Sequence, residues 1–257
     1  MAQTIDVCLL PKMVAPKRLV GHTVVVIDVL RATTTIAHAL AAGACKVIPC
    51  LEVDEARRRA EKIGRANVVL GGERGGMLIE GFDLGNSPRA YTTDSVGGRT
   101  VVFTTTNGTA ALLHCQGAEK IVLGALVNLS AVVEAVSSAE RLTIVCAGTL
   151  GCITREDIFA AGAIVERLAN RPDRSFKLSP TALISRATWQ SIASKAGGRV
   201  NAVGSDLEAI VAAMRESRGG RDLVRLGLDR DIVDAARVDR LDCLPCHDPV
   251  RGVLECP

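Results

Sequence analysis

The chain has 257 residues, 48% hydrophobic and only 2% aromatic, with 31 Lys and Arg against 28 Asp and Glu for a net charge of +3. That length and apolar content suffice for one large α/β domain or two packed lobes, and they exclude a disordered or fibrous chain. So small a positive balance, with few aromatic platforms for bases, argues against nucleic acid and leaves small anionic molecules as fitting partners.

The opening residues, Met1-Ala-Gln-Thr-Ile-Asp-Val-Cys, lack a basic stretch followed by an apolar core and a small-residue cleavage site, so no secretory signal is expected. No uncharged apolar run reaches the roughly 18–20 residues of a membrane span, and the best candidate, 23–30, contains Asp28. A cytoplasmic protein with no membrane partner is expected; a homo-oligomer stays open. The nine cysteines are odd in number, scattered and mostly inside apolar segments, where free cysteine packs as a small hydrophobe. Reduced thiols are therefore expected.

Along the chain, short apolar β-branched runs alternate with Ala-rich amphipathic stretches, the rhythm of a layered α/β/α fold with a mostly parallel or mixed sheet. Strands are predicted at 5–10, 23–29, 46–50, 68–70, 100–105, 120–123 and 142–146. Helices are predicted at 32–41, 53–63, 109–115, 129–137 and 155–169, the last with Ile158, Ala161, Ile164, Val165 and Leu168 at helical spacing. Beyond Pro172, helices at 180–196 and 205–217 with no clear strand between them read as a helical C-terminal addition, and 241–249 as a last strand or extended tail. No repeat or linker interrupts residues 1–257. A single unit is expected, with packed lobes of about 1–125 and 126–257 as the other division.

Four segments carry candidate chemistry. In Thr23-Val-Val-Val-Ile-Asp-Val-Leu-Arg-Ala-Thr-Thr-Thr, a buried strand delivers Asp28 and Arg31 to its carboxyl end, where ligands of open α/β sheets gather. Asp28 is a hard oxygen ligand suited to Mg²⁺, Arg31 a bidentate clamp for phosphate oxygens, and Thr33 and Thr34 supply hydroxyl and helix-start donors. The structural alternative makes Asp28 a turn cap with Arg31 its partner. The haloacid-dehalogenase nucleophile motif does not fit, because Leu30 stands where its second Asp is required.

The glycine-dense run from Gly71 to Pro88 lets backbone pass close to a ligand and places Glu73, Arg74, Glu80, Asp83 and Asn86 in one loop. Those groups suffice for metal ligands, an acid/base group and an oxyanion clamp; a solvated surface loop is the alternative. The third segment leads from a strand through Thr105, Thr106, Asn107, Gly108 and Thr109 into a helix whose free amides suit an anion, unless Asn107 and Thr109 merely cap it. It lacks the Lys and glycine spacing of a Walker loop. The fourth is a strand, a turn with Gly148 and Thr149, and a helix start in which Asp157 either caps or reaches a metal. Cys146 reads as core, since no Arg stands five residues beyond it. Cys243-Leu-Pro-Cys-His matches a haem attachment pattern but lacks an export signal and a distal methionine; a zinc pair there would need further ligands.

Taken in order, Val26-Ile-Asp-Val-Leu-Arg-Ala-Thr-Thr-Thr, Gly72-Glu-Arg-Gly-Gly, Gly81-Phe-Asp-Leu-Gly-Asn-Ser-Pro, Thr104-Thr-Thr-Asn-Gly-Thr, Cys146-Ala-Gly-Thr and Gly227-Leu-Asp-Arg-Asp-Ile resemble the 2-phosphosulfolactate phosphatase family. That family acts in coenzyme M biosynthesis and has homologues in bacteria lacking the pathway; the cysteine-rich tail departs from its pattern. The resemblance implies Mg²⁺-dependent hydrolysis of 2-phospho-3-sulfolactate to 3-sulfolactate and phosphate. Asp28, Arg31, Glu73 and Arg74 are the expected catalytic residues, with either a carboxylate that orients the attacking water or an aspartyl-phosphate formed on Asp28 as the mechanism. Asp28, Glu73, Asp83 and Asp157 are the expected metal ligands. Thr33, Thr34, Asn86, Thr105, Thr106, Asn107, Gly108, Thr109, Gly148 and Thr149 are the expected substrate contacts. The alternatives are a phosphatase for another small phosphorylated hydroxy acid and a non-catalytic anion sensor.

Overall fold

A computed structural model describes residues 3–195 and 205–257. Ala196, the last residue of the helix predicted at 180–196, lies outside them. The strands are β1 (Gln3–Cys8), β2 (Thr23–Ile27), β3 (Lys46–Pro49), β4 (Val68–Arg74), β5 (Met77–Leu78), β6 (Thr100–Thr104), β7 (Lys120–Gly124), β8 (Arg141–Cys146), β9 (Phe176–Leu178), β10 (Cys246–Asp248) and β11 (Val253–Glu255). The helices are α1 (Ala32–Ala41), α2 (Val53–Ile63), α3 (Thr93–Val96), α4 (Gly108–His114), α5 (Leu129–Val136), α6 (Arg155–Ala169), α7 (Pro180–Lys195), α8 (Ser205–Arg215), α9 (Arg218–Arg225) and α10 (Asp229–Ala235). All seven predicted strands are present, as are the predicted helices within a few residues at each end.

The strands form one mixed sheet in the order β5-β4-β6-β3-β11-β10-β7-β2-β8-β1-β9. It contains two parallel blocks, β4-β6-β3 and β7-β2-β8-β1-β9. The antiparallel hairpin β10-β11 joins them, pairing β10 with β7 and β11 with β3. The tail expected as a last strand or an extended end thus forms two strands, on either side of Pro249, and Cys246 and His247 of its Cys-Leu-Pro-Cys-His run belong to the sheet. These three antiparallel pairings make the two parallel blocks run in opposite directions.

Helices cover both faces. In β2, Val25 and Ile27 pack into a core with Leu129 and Val132 of α5 and Phe159 and Ile164 of α6. Val24 and Val26 face the other way, toward Ala111 and Leu112 of α4 and Ile36 of α1. Val24 through Ile27 are wholly buried, which is why they read as a continuous apolar run and not as an alternating one. A third cluster packs Ala56 and Ala60 of α2 on Ile48, Leu70 and Val102. No helix among the described residues is long and apolar enough to cross a membrane.

Candidate active site

The segments after β2, β4, β6 and β8 meet around one cavity of about 230 Å³, with α9 as its remaining wall. Asp28, the first residue beyond β2, is almost fully buried there. Its Oδ1 accepts the Ala32 N–H at 3.3 Å; among the described residues, no hydrogen bond reaches Oδ2. A methyl group on Gly108 would sit 2.7 Å from that oxygen and 2.5 Å from Ala32 Cβ, so only glycine lets α4 start this close to Asp28. The threonines that follow hold α1. The Thr33 hydroxyl lies 3.0 Å from the Asp28 carbonyl and 2.8 Å from that of Gly124. Thr34 donates to Val29 and Thr35 to the carbonyl of Asn86. Thr33 and Thr34 are thus buried behind the cavity and do not line it.

Arg31 lines the cavity from a buried position. Its Nη1 donates to Asp231 Oδ2 at 2.7 Å and its Nη2 to the Gly76 carbonyl at 2.9 Å, leaving three of its five N–H donors for an oxyanion. Glu73 lies across from it at the end of β4, with Oε1 accepting the Thr106 N–H at 2.8 Å and Oε2 the Gly76 N–H at 2.7 Å. Arg74 points elsewhere, donating to the carbonyls of Glu73 and Leu51 and to the Thr104 hydroxyl. Asp83 is also outside the cavity, accepting the Leu70 N–H at 2.7 Å and pairing with Arg65 at 2.8 Å.

Beyond β6, Thr105 and Thr109 lock the turn, each hydroxyl accepting the other residue's N–H. Thr106 and Asn107 face the cavity, and Asn107 Oδ1 accepts the Leu150 N–H at 3.0 Å. Thr106 Oγ1 and Asn86 Oδ1 are buried with no protein partner among the described residues, and both residues line the cavity; such orphaned oxygens mark a ligand site. Thr149 lines it too, whereas Gly148 turns its N–H to Asp157 Oδ2 at 2.9 Å. Asp157 Oδ1 accepts the Val29 N–H at 3.0 Å, so this carboxylate ties the ends of β2 and β8 from behind the cavity.

Three contributors fall outside the residues assigned to the site from the sequence. Asp231 holds Arg31 and accepts the Ser87 hydroxyl at 2.6 Å; it stands in the Gly227–Ile232 block but carried no assigned role. Glu156, buried at the start of α6, accepts the Gly219 N–H and leaves Oε2 without a partner among the described residues. From α9, Gly219, Asp222, Leu223 and Arg225 face the cavity.

Burial pushes the Asp28 carboxyl up to about 7, and the nearby charges of Glu73 and Glu156 add to that rise against the opposing Ala32 N–H and Arg31. Burial also raises Glu156 and Asp157, the latter with help from Asp28 and Glu156. The cavity wall carries two guanidiniums, Arg31 and Arg225, against three carboxylates, Asp28, Glu73 and Asp222. Among the described residues no group of three or more His, Cys, Asp and Glu converges as a metal cage. The four carboxylates expected as metal ligands do not gather: only Asp28 and Glu73 reach the cavity. Mg²⁺ is commonly held by one or two carboxylates, completed by water and substrate phosphate, so Asp28, Glu73 and the orphaned Asn86 Oδ1 are a donor set of fitting chemistry.

A family model described as 2-phosphosulpholactate phosphatase matches residues 8–249. A protein of Symbiobacterium thermophilum is 40% identical over 239 residues, 93% of this chain and 96% of its own. One from Pseudothermotoga lettingae is 36% identical over 253 residues, 98% of this chain and all of its own. One from Caldanaerobacter subterraneus is 50% identical over 151 residues, 58% of this chain and 63% of its own. All three carry the description "probable 2-phosphosulfolactate phosphatase".

Proposed function

Because the chain belongs to the 2-phosphosulpholactate phosphatase family and is thereby a phosphoric monoester hydrolase, we propose that it hydrolyses 2-phospho-3-sulfolactate to 3-sulfolactate and phosphate with Mg²⁺. The observation that carries this reading is the Asp28 carboxylate, buried beside Arg31 with Oδ2 free of protein hydrogen bonds among the described residues. Asp28 and Glu73 would hold the cation, which when bound neutralises phosphoryl charge. The wall's excess of carboxylates supports the need for it, since the proposed substrate bears phosphate, carboxylate and sulfonate groups. Arg31, fixed by Asp231, clamps phosphoryl oxygens. Beside a bound cation Asp28 would be ionised, since the cation's charge outweighs the burial that raises this carboxyl in the metal-free protein, and it would orient the attacking water. The cavity volume of about 230 Å³ falls below the roughly 300–1,000 Å³ of pockets for drug-sized ligands and suits a small metabolite.

Phosphate release from 2-phospho-3-sulfolactate, phosphoglycolate, phosphoglycerate and 2-phospholactate, compared as kcat/KM, tests the substrate. The sulfonated ester is expected to lead the series. A higher value for another ester would move the function to that substrate, and ligand-induced stabilisation without any phosphate release would make the protein an anion sensor.

A further inference from the structure

The two guanidiniums of the cavity wall are held in different ways. Arg31 is buried, paired with Asp231 and tied to the Gly76 carbonyl beside Asp28. Arg225, the last residue of α9, has a side chain 74% exposed and touches Asp222 of its own helix at 2.9 Å. Surface pairs three residues apart on a helix are weak and readily exchanged for a better anion. Gly219, Asp222, Leu223 and Leu226 line the cavity at helical spacing, and Arg225 stands on the flank of that stripe, at the solvent side. Leu226, next in the chain, closes on the opposite wall, where a methyl group on Gly76 would come within 2.5 Å of its Cδ1. Arg225 therefore lies where a substituent of a substrate anchored at Asp28 and Arg31 would reach solvent.

Resting on the proposed phosphatase reading, we propose that Arg225 is the specificity residue that recognises the sulfonate of the substrate, while Arg31 serves the phosphoryl group. A sulfonate offers three oxygens to the planar guanidinium fork, and binding one releases Arg225 from Asp222. Asp222, left facing the mouth, disfavours anions that do not engage Arg225.

The test compares wild type, Arg225→Ala and Arg225→Lys on 2-phospho-3-sulfolactate and on 2-phospholactate, which lacks the sulfonate, with Mg²⁺ present. The ratio of the two kcat/KM values is expected to fall at least tenfold in Arg225→Ala, the loss on the sulfonated ester falling mainly in KM. Arg225→Lys is expected to lie between the two. An unchanged ratio in Arg225→Ala, whether or not both activities drop, overturns the assignment, because a merely structural or general electrostatic role affects both esters alike. Failure of the underlying reading shows separately, as wild-type enzyme that releases no phosphate from the sulfonated ester.

Discussion

Asp28 combines two demands that water alone would not satisfy. It must be charged to serve a cation or a proton, yet it sits with 7% of its surface exposed, in a site where Glu73 and Glu156 oppose its ionisation. The result is a carboxyl pushed up to about 7 from an ordinary 3.8. The folded state then binds this proton more tightly than the unfolded chain, so the stabilisation is full below about pH 4 and is lost as pH rises toward 7. In metal-free buffer, the melting temperature of the wild type is expected to fall between pH 5 and about 7.5. Asp28→Asn, which has no proton to release, is expected to flatten that slope. Parallel pH profiles for the two proteins would show that Asp28 does not titrate in this window.

At the scale of elements, the site depends on where strands end and what fastens those ends. Asp157 illustrates the difference between a ligand and a brace. It binds the amides of Val29 and Gly148, one beyond β2 and the other beyond β8, and, unlike Glu73, it does not line the cavity. Asp157→Ala is expected to leave both buried amides without acceptors, at about 1–3 kcal/mol each, read as a lower urea midpoint. A metal-ligand role would appear differently, as a raised Mg²⁺ requirement with the urea midpoint unchanged. The wholly buried strands were legible because their β-branched runs have no other stable place. β5 and β9, of two and three residues, are too short to form a pattern. The α9 segment, Arg-Gly-Gly-Arg-Asp-Leu-Val-Arg, has two glycines and three arginines and no helical signal of its own; its Ser217 cap and its packing against the site define it.

Across the whole molecule, the distances along the chain explain what the sequence could not disclose. Asp28, Thr106 and Thr149 are legible because each follows an apolar strand, where α/β proteins gather ligands, and Glu73 and Asn86 because they stand in the glycine-dense loop. Arg74 and Asp83 share the same glycine-rich run as Glu73 but turn outward, and one-dimensional proximity cannot tell which side of a loop faces a cavity. Asp231 pairs with Arg31 across 200 positions of sequence, a contact made only after the C-terminal helices fold back over the sheet. The β10-β11 hairpin acts at the same scale, since it links the block carrying Glu73 and Thr106 to the block carrying Asp28 and Thr149. One cavity therefore depends on nearly every part of the chain, and its chemistry is best tested in the full-length protein.

The most direct measurement is phosphate release from 2-phospho-3-sulfolactate by the purified protein with Mg²⁺ and with EDTA, beside the Asp28→Asn variant. Turnover that requires the cation and drops at least a hundredfold in the variant is expected, since such a drop corresponds to about 2.7 kcal/mol of lost transition-state stabilisation. Release that persists in EDTA, or an Asp28→Asn enzyme as active as the wild type, would contradict a metal-assisted phosphatase centred on Asp28.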